Sequence, residues 1–156
     1  MNWNRISRGV AGAAALLLFS SAVNAQVQGS RHDLSADPGS QTNEVCVYCH
    51  TPHGADINAA VPLWNKTLPD GTSYQRYSDL NTSTLDGAEA LAVGSVSLAC
   101  LSCHDGVQAM DNVINAPGRG LNSGAIGTVG QMTGSPVPML GTDLRDDHPI
   151  SIQYGG

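Results

Sequence analysis

The sequence predicts a chain that is mostly coil, with a few short α-helices and little or no β-sheet, folded around bound groups instead of an aromatic core. Three observations predict it. Aromatic residues are 4% of the 156, and the single phenylalanine, Phe19, sits near the N-terminus. The 18 glycines and 8 prolines gather in stretches that show neither a helical nor a strand period. All four cysteines fall in one five-residue pattern that occurs twice, Cys46-Val47-Tyr48-Cys49-His50 and Cys100-Leu101-Ser102-Cys103-His104.

That pattern, C-x-x-C-H, is the attachment sequence of c-type haem. On a helical turn, residues three and four apart share a face. Cys46 and Cys49 can therefore meet the two vinyl groups of one porphyrin while His50 points at its iron. Cys100, Cys103 and His104 repeat the arrangement. The expected cofactors are two covalently attached haem c groups, and the fold is expected to wrap around them. Two broad apolar plates would replace the large side chains that usually fill a core. Other uses of the cysteines fit less well. A zinc site can take two C-x-x-C knuckles, but it gives no reason for a histidine after each and normally uses a closer spacing. A thioredoxin-like pair needs one C-x-x-C beside a βαβ pattern. Disulfides suit an exported protein, yet C-x-x-C pairs close only very short loops.

Taken in order, residues 1–25 read as a secretory signal. Arg5 and Arg8 form a basic start, residues 10–19 an apolar stretch, and Val23-Asn24-Ala25 a small-residue cleavage site before Gln26. The apolar run is shorter than the ~20 residues of a membrane span. Export also suits the haem, whose covalent attachment in bacteria takes place outside the cytoplasm. Residues 26–156 are then a single domain of 131 residues. It carries five basic against thirteen acidic side chains. This is the opposite of a nucleic-acid footprint, and it suits a cationic partner or simple solubility.

Residues 43–50 are expected to form a short helix bearing the first motif. Residues 55–85 are polar and broken by Pro62, Pro69-Asp70-Gly71 and Asn81. Within them Leu63, Trp64, Tyr74 and Tyr77 lack a period and are expected to pack on porphyrin faces or on neighbouring loops. Asp86 with Glu89 resembles a capping box, so residues 88–93 are expected to be helical. A further turn or two from Val96 would carry the second motif. Residues 116–141, with seven glycines and three prolines, read as loop and neither helix nor sheet.

Each iron then has a sixth position to fill, and the remaining histidines are His32, His53 and His148. His53 is too close to His50 to reach the far side of the same haem, so the haem on His104 is its natural target. His32 and His148 compete for the haem on His50, with Asp33, Asp146 and Asp147 as acceptors for a free ring N–H. Three histidines for two irons leave one over, in a monomer or in any homopolymer. Met132 and Met139 are the rival ligands.

The segments Val45-Cys46-Val47-Tyr48-Cys49-His50-Thr51-Pro52-His53-Gly54, Ser97 through Gly106, Arg31-His32-Asp33-Leu34-Ser35 and Asp147-His148-Pro149-Ile150-Ser151 resemble pieces of multihaem c-type cytochromes with doubled C-x-x-C-H motifs. The resemblance implies a coil-rich fold and low-spin haems with two histidine ligands. Some members polymerise into extracellular filaments in which a histidine of one subunit ligates a haem of the next. This chain has two attachment motifs where those filament members have four or more.

The expected function is electron transfer between redox partners by an exported, periplasmic or extracellular protein that is not an enzyme. In a globule of ~14 Å radius of gyration two irons must lie close. If both are six-coordinate, no position is left for a substrate. A filament subunit, or a small haem enzyme with a labile iron position, are the alternatives. Because haem is expected to replace the core, replacing all four cysteines by alanine should leave a chain without a cooperative transition on heating or in urea. A sharp sigmoidal unfolding curve from that variant would refute the expectation.

Overall fold

The computed structural model describes residues 26–85, 87–133 and 138–153. Residues 1–25, expected to be a signal, and Asp86 of the expected capping box lie outside them. Mostly coil is what is found. Among the described residues there is one α-helix, α1 (Ser95–His104), and one antiparallel strand pair, β1 (Asn112–Ala116) with β2 (Gly120–Ala125). Four single-turn 3-10 segments complete the regular structure, at Leu34–Ala36, Val45–Tyr48, Gly71–Ser73 and Tyr77–Leu80. No helix among the described residues is long and apolar enough to cross a membrane.

The second motif lies on α1 as expected. Gly94 precedes the helix, and Gly106 ends it with φ of +71°, the left-handed stop that glycine allows. The first motif has less helix than expected. Val45–Tyr48 is a 3-10 turn, yet the His50 N–H donates to the Cys46 carbonyl at 2.8 Å, so one α-type turn still spans the motif.

Two expectations fail. Residues 88–93 are not helical. The Ala90 N–H donates to the Ser151 carbonyl, the Gln153 N–H to Ala88 and the Val93 N–H to Gly71, while the Glu89 carboxylate accepts from the Ser78 N–H. Six residues ending at Gly94 are too few to repay helix nucleation, and pairing with the C-terminal segment takes their backbone groups instead. Residues 116–141 are not all loop either, because β2 lies inside them. The hairpin turns at Pro117-Gly118, where Gly118 has φ of +70° and the Arg119 N–H donates to the Ala116 carbonyl at 3.1 Å. This is a type II turn with glycine at its obligatory positive-φ position. A register shift between Val113 and Asn115 marks a bulge in β2, where residues 122 and 123 stand opposite Ile114.

The apolar interior is split into two small clusters. One joins Val47 and Tyr48 of the first motif to Val113, Ala116 and Ile126 at the hairpin. The other joins Leu101 of α1 to Tyr74, Val93 and Leu144. Of the aromatics expected to meet porphyrin or loops, Tyr74 is therefore core, Trp64 is buried beside His50, and Tyr77 bonds Thr84 through its hydroxyl.

The first cluster is tied to the hairpin by Asn65, which is fully buried. Its Nδ2 donates to the carbonyls of Val47 at 2.7 Å and Asn115 at 3.0 Å, and its Oδ1 accepts from the Asn115 N–H at 2.9 Å. Its own N–H donates to Cys49 and its carbonyl accepts from Ile114, the residue opposite the bulge. Asn65→Ala should strand one buried and two part-buried backbone groups at about 1–3 kcal/mol each before relaxation. A loss of about 3 kcal/mol or more is expected in the urea unfolding free energy of the native protein. A loss below about 1 kcal/mol would show that water replaces the amide.

Candidate metal centres

Each motif presents its residues in the same graded way. Cys46 and Cys100 are exposed, Cys49 and Cys103 are half-buried, and the four thiols are free of one another. Burial pushes the Cys49 thiol above its ordinary range, the Cys103 thiol adds to that, and the Lys66 ammonium opposes it. Burial likewise raises Cys103, again against Lys66 and a hydrogen bond from Ser102.

The residue after each motif histidine is an anchor. Thr51, 2% exposed, donates from its hydroxyl to the His53 carbonyl and accepts from the Asn115 amide. Asp105, 5% exposed, accepts from the Tyr74 hydroxyl at 2.8 Å and from the Val107 N–H at 2.9 Å. Burial, then the hydrogen bond and charge of Asp105, hold the Tyr74 phenol far above its usual range.

Both motif histidines make the same bond. His50 Nδ1 lies 2.8 Å from the Pro62 carbonyl, and His104 Nδ1 lies 2.7 Å from the Pro138 carbonyl. A carbonyl only accepts, so each Nδ1 carries a hydrogen, and in the neutral ring Nε2 is left with the lone pair. Metal-bound histidine commonly has its other nitrogen fixed in this way. His148 shows the same bond to the Pro149 carbonyl at 2.8 Å.

His32 lies beside His104, with ring centroids 6.2 Å apart and planes at 69°. One metal ion between two imidazoles at about 2 Å per metal–nitrogen bond sets the two nitrogens ~4 Å apart and the centroids ~6 Å apart. The spacing fits a shared iron. By itself it is also an ordinary edge contact, and His50 with Trp64 shows one at 6.2 Å and 82°.

The sequence expectation set His53 against His104 and left His32 and His148 to compete for the haem on His50; in the structure it is the His32 ring that lies beside His104. The His53 carbonyl is bonded to Thr51 and Asn115, holding that residue to the hairpin, with its side chain exposed. Asp33 accepts from the Gly29 N–H and the Ser35 hydroxyl, bonds that lower its pKa, so it is engaged within its own turn. Met139 packs its sulfur against Gly106, where a Cβ would lie 2.7 Å from it, and Met132 brings its carbonyl to the same place.

An apolar cleft of about 490 Å³ opens beside Cys100 and His104. Leu101, Leu140, Leu144 and Ile150 line it, and Pro138, Asp147 and His148 are at its walls. A flat apolar group held by Cys100 and His104 would have its seat here. His148, expected at the haem on His50, is thus placed by the cleft of His104. Among the described residues no three His, Cys, Asp or Glu side chains converge on one point, so a four-thiolate zinc site is not assembled. Haem asks the protein for only two ligands.

Sequence reasoning passed over Asn65, Lys66 and the carbonyls of Pro62 and Pro138. Lys66 had one visible signal, being the sole lysine of the chain. No family model matches the chain, and no curated protein matches it.

If His32 and His104 share an iron, His32→Ala should turn one of two low-spin haems high-spin. The expected readouts are a charge-transfer band above 600 nm and a high-spin signal at low temperature (roughly one iron in two). An unchanged low-spin spectrum would remove His32 from the iron.

Proposed function

We propose that the chain is an exported dihaem c-type cytochrome, similar to multihaem proteins with doubled C-x-x-C-H motifs, that carries electrons between redox partners and is not an enzyme. The observation that carries the reading is the repeated motif with both histidines in one tautomer, Nδ1 on a proline carbonyl and Nε2 free. Cys46 and Cys49 would hold one haem and Cys100 and Cys103 the other, with His50 and His104 as iron ligands. His32 is assigned opposite His104. His53 is too close to His50 to serve that haem, which leaves His148 for it.

Bound haem supplies an iron that passes between Fe(III) and Fe(II) without bond making or breaking. The chain's own residues do the rest. Pro62 and Pro138 set the imidazole planes. Thr51 and Asp105 stop the motif backbones from moving. Leu101, Leu140, Leu144 and Ile150 exclude water from one face, which lowers the reorganisation that accompanies each electron.

One observation favours a second reading, a subunit of an extracellular filament. His53 and His148 are both exposed. A surface imidazole is what a ligand to a neighbouring subunit's haem requires.

Denaturing intact mass tests the proposal, using protein from an exporting host with haem-attachment machinery. A mass of residues 26–156 plus two haems is expected. The reduced protein should keep its Soret band under carbon monoxide, since both irons are saturated. A haem-free mass would end the electron-transfer reading, and a carbon monoxide shift would favour the enzyme. Long fibres in the electron microscope would select the filament.

A further inference from the structure

Lys66 is 1% exposed, and burial lowers its affinity for the proton against the opposing pull of Cys103, Cys49 and Asp111. Its Nζ donates to two neutral acceptors, the carbonyls of Met110 at 2.6 Å and Asn112 at 2.9 Å. The ion pairs formed among the described residues are Arg76 with Asp79 and Arg145 with Asp143, so Lys66 is outside them. Asp111, the buried carboxylate within its electrostatic reach, lies on the same 110–112 segment and accepts from the Gly130 N–H. The positive charge is therefore held by carbonyl dipoles and is not cancelled at contact.

Its place is the informative part. Lys66 follows Asn65, whose N–H is bonded to the Cys49 carbonyl, and its Nζ is bonded to the carbonyls of Met110 and Asn112, in the segment that follows His104. The ammonium thus ties the first attachment turn to the chain leaving the second. Charges act over longer range in such an interior than in water. A ferrous haem carries one positive charge fewer than a ferric one, so a neighbouring cation favours the reduced state.

We propose that Lys66 is a fixed buried cation that raises the reduction potentials of both haems together, a role resting on the dihaem reading above. It is a positioning residue for charge, touching neither iron. Lysine is required for this because a neutral amide would serve the two carbonyls equally well without the cost of burying a charge.

The test is spectroelectrochemical titration of the holoprotein as wild type, Lys66→Gln and Asp111→Asn, each checked for two haems by intact mass. Lys66→Gln should lower both midpoints, by about tenfold in each one-electron equilibrium constant, or about 59 mV. Asp111→Asn keeps the Gly130 bond, removes a negative charge, and should move both midpoints up. Opposite signs are the signature, since loosened packing would move both variants the same way. Unmoved midpoints in a dihaem Lys66→Gln protein, or shifts of one sign in both variants, would overturn the role and leave the cytochrome reading intact. If Lys66→Gln fails to mature, Lys66→Met takes its place, a fall of both midpoints supporting the role and any other result overturning it. A wild type without haem would remove both.

Discussion

The interaction on which the rest depends is the buried crossing of Asn65 and Lys66 over three separate segments. Asn65 joins the first motif to the hairpin, and Lys66 joins the same strand to the 110–112 turn. Neither residue is apolar, and both are inaccessible to solvent. Each hydrogen bond adds only about 0.5–1.5 kcal/mol net, but leaving its partners unpaired in the interior costs about 1–3 kcal/mol per group. The polar crossing is therefore all-or-none. It fixes the spacing of segments that the small apolar clusters cannot hold by themselves.

From that crossing the two motifs are built differently and reach the same end. The first is a 3-10 turn whose geometry is imposed from outside by Asn65, Thr51 and the hairpin. The second is a helix, self-sufficient in its backbone bonds, and needs only the Tyr74–Asp105 bond and the second cluster to place it. A non-helical segment gains its order from neighbours, so the first site should be the one that depends more on the rest of the fold.

What was legible in the sequence was local. C-x-x-C-H states its chemistry within five residues, and the run from Val96 to His104 has no breaker to stop a helix. The hairpin was hidden because its Pro117-Gly118 turn sits in a glycine-rich stretch, and because its bulge is completed by Asn65, fifty residues away from Asn115. The failed helix at 88–93 had a plausible start, but its acceptors and donors come from the C-terminal segment. The approach of His32 to His104 is non-local in the same way. Spacing could say which histidines were spare and not which would meet.

One backbone outlier ties the polar crossing to the chemistry. Leu63 has φ of +56°, a left-handed conformation that costs a residue with a Cβ about 1–2 kcal/mol. Its neighbours show what that conformation does. The Pro62 carbonyl meets His50 Nδ1, the Leu63 carbonyl meets the Thr51 N–H, and the Asn65 N–H meets the Cys49 carbonyl. Ordinary extended backbone alternates its carbonyls to opposite sides, so two successive carbonyls cannot both face the motif strand unless the chain turns between them. Leu63 makes that turn. The strain at Leu63 thus sets the direction of the His50 ring, and the crossing at Asn65 and Lys66, immediately downstream, holds the strand against it.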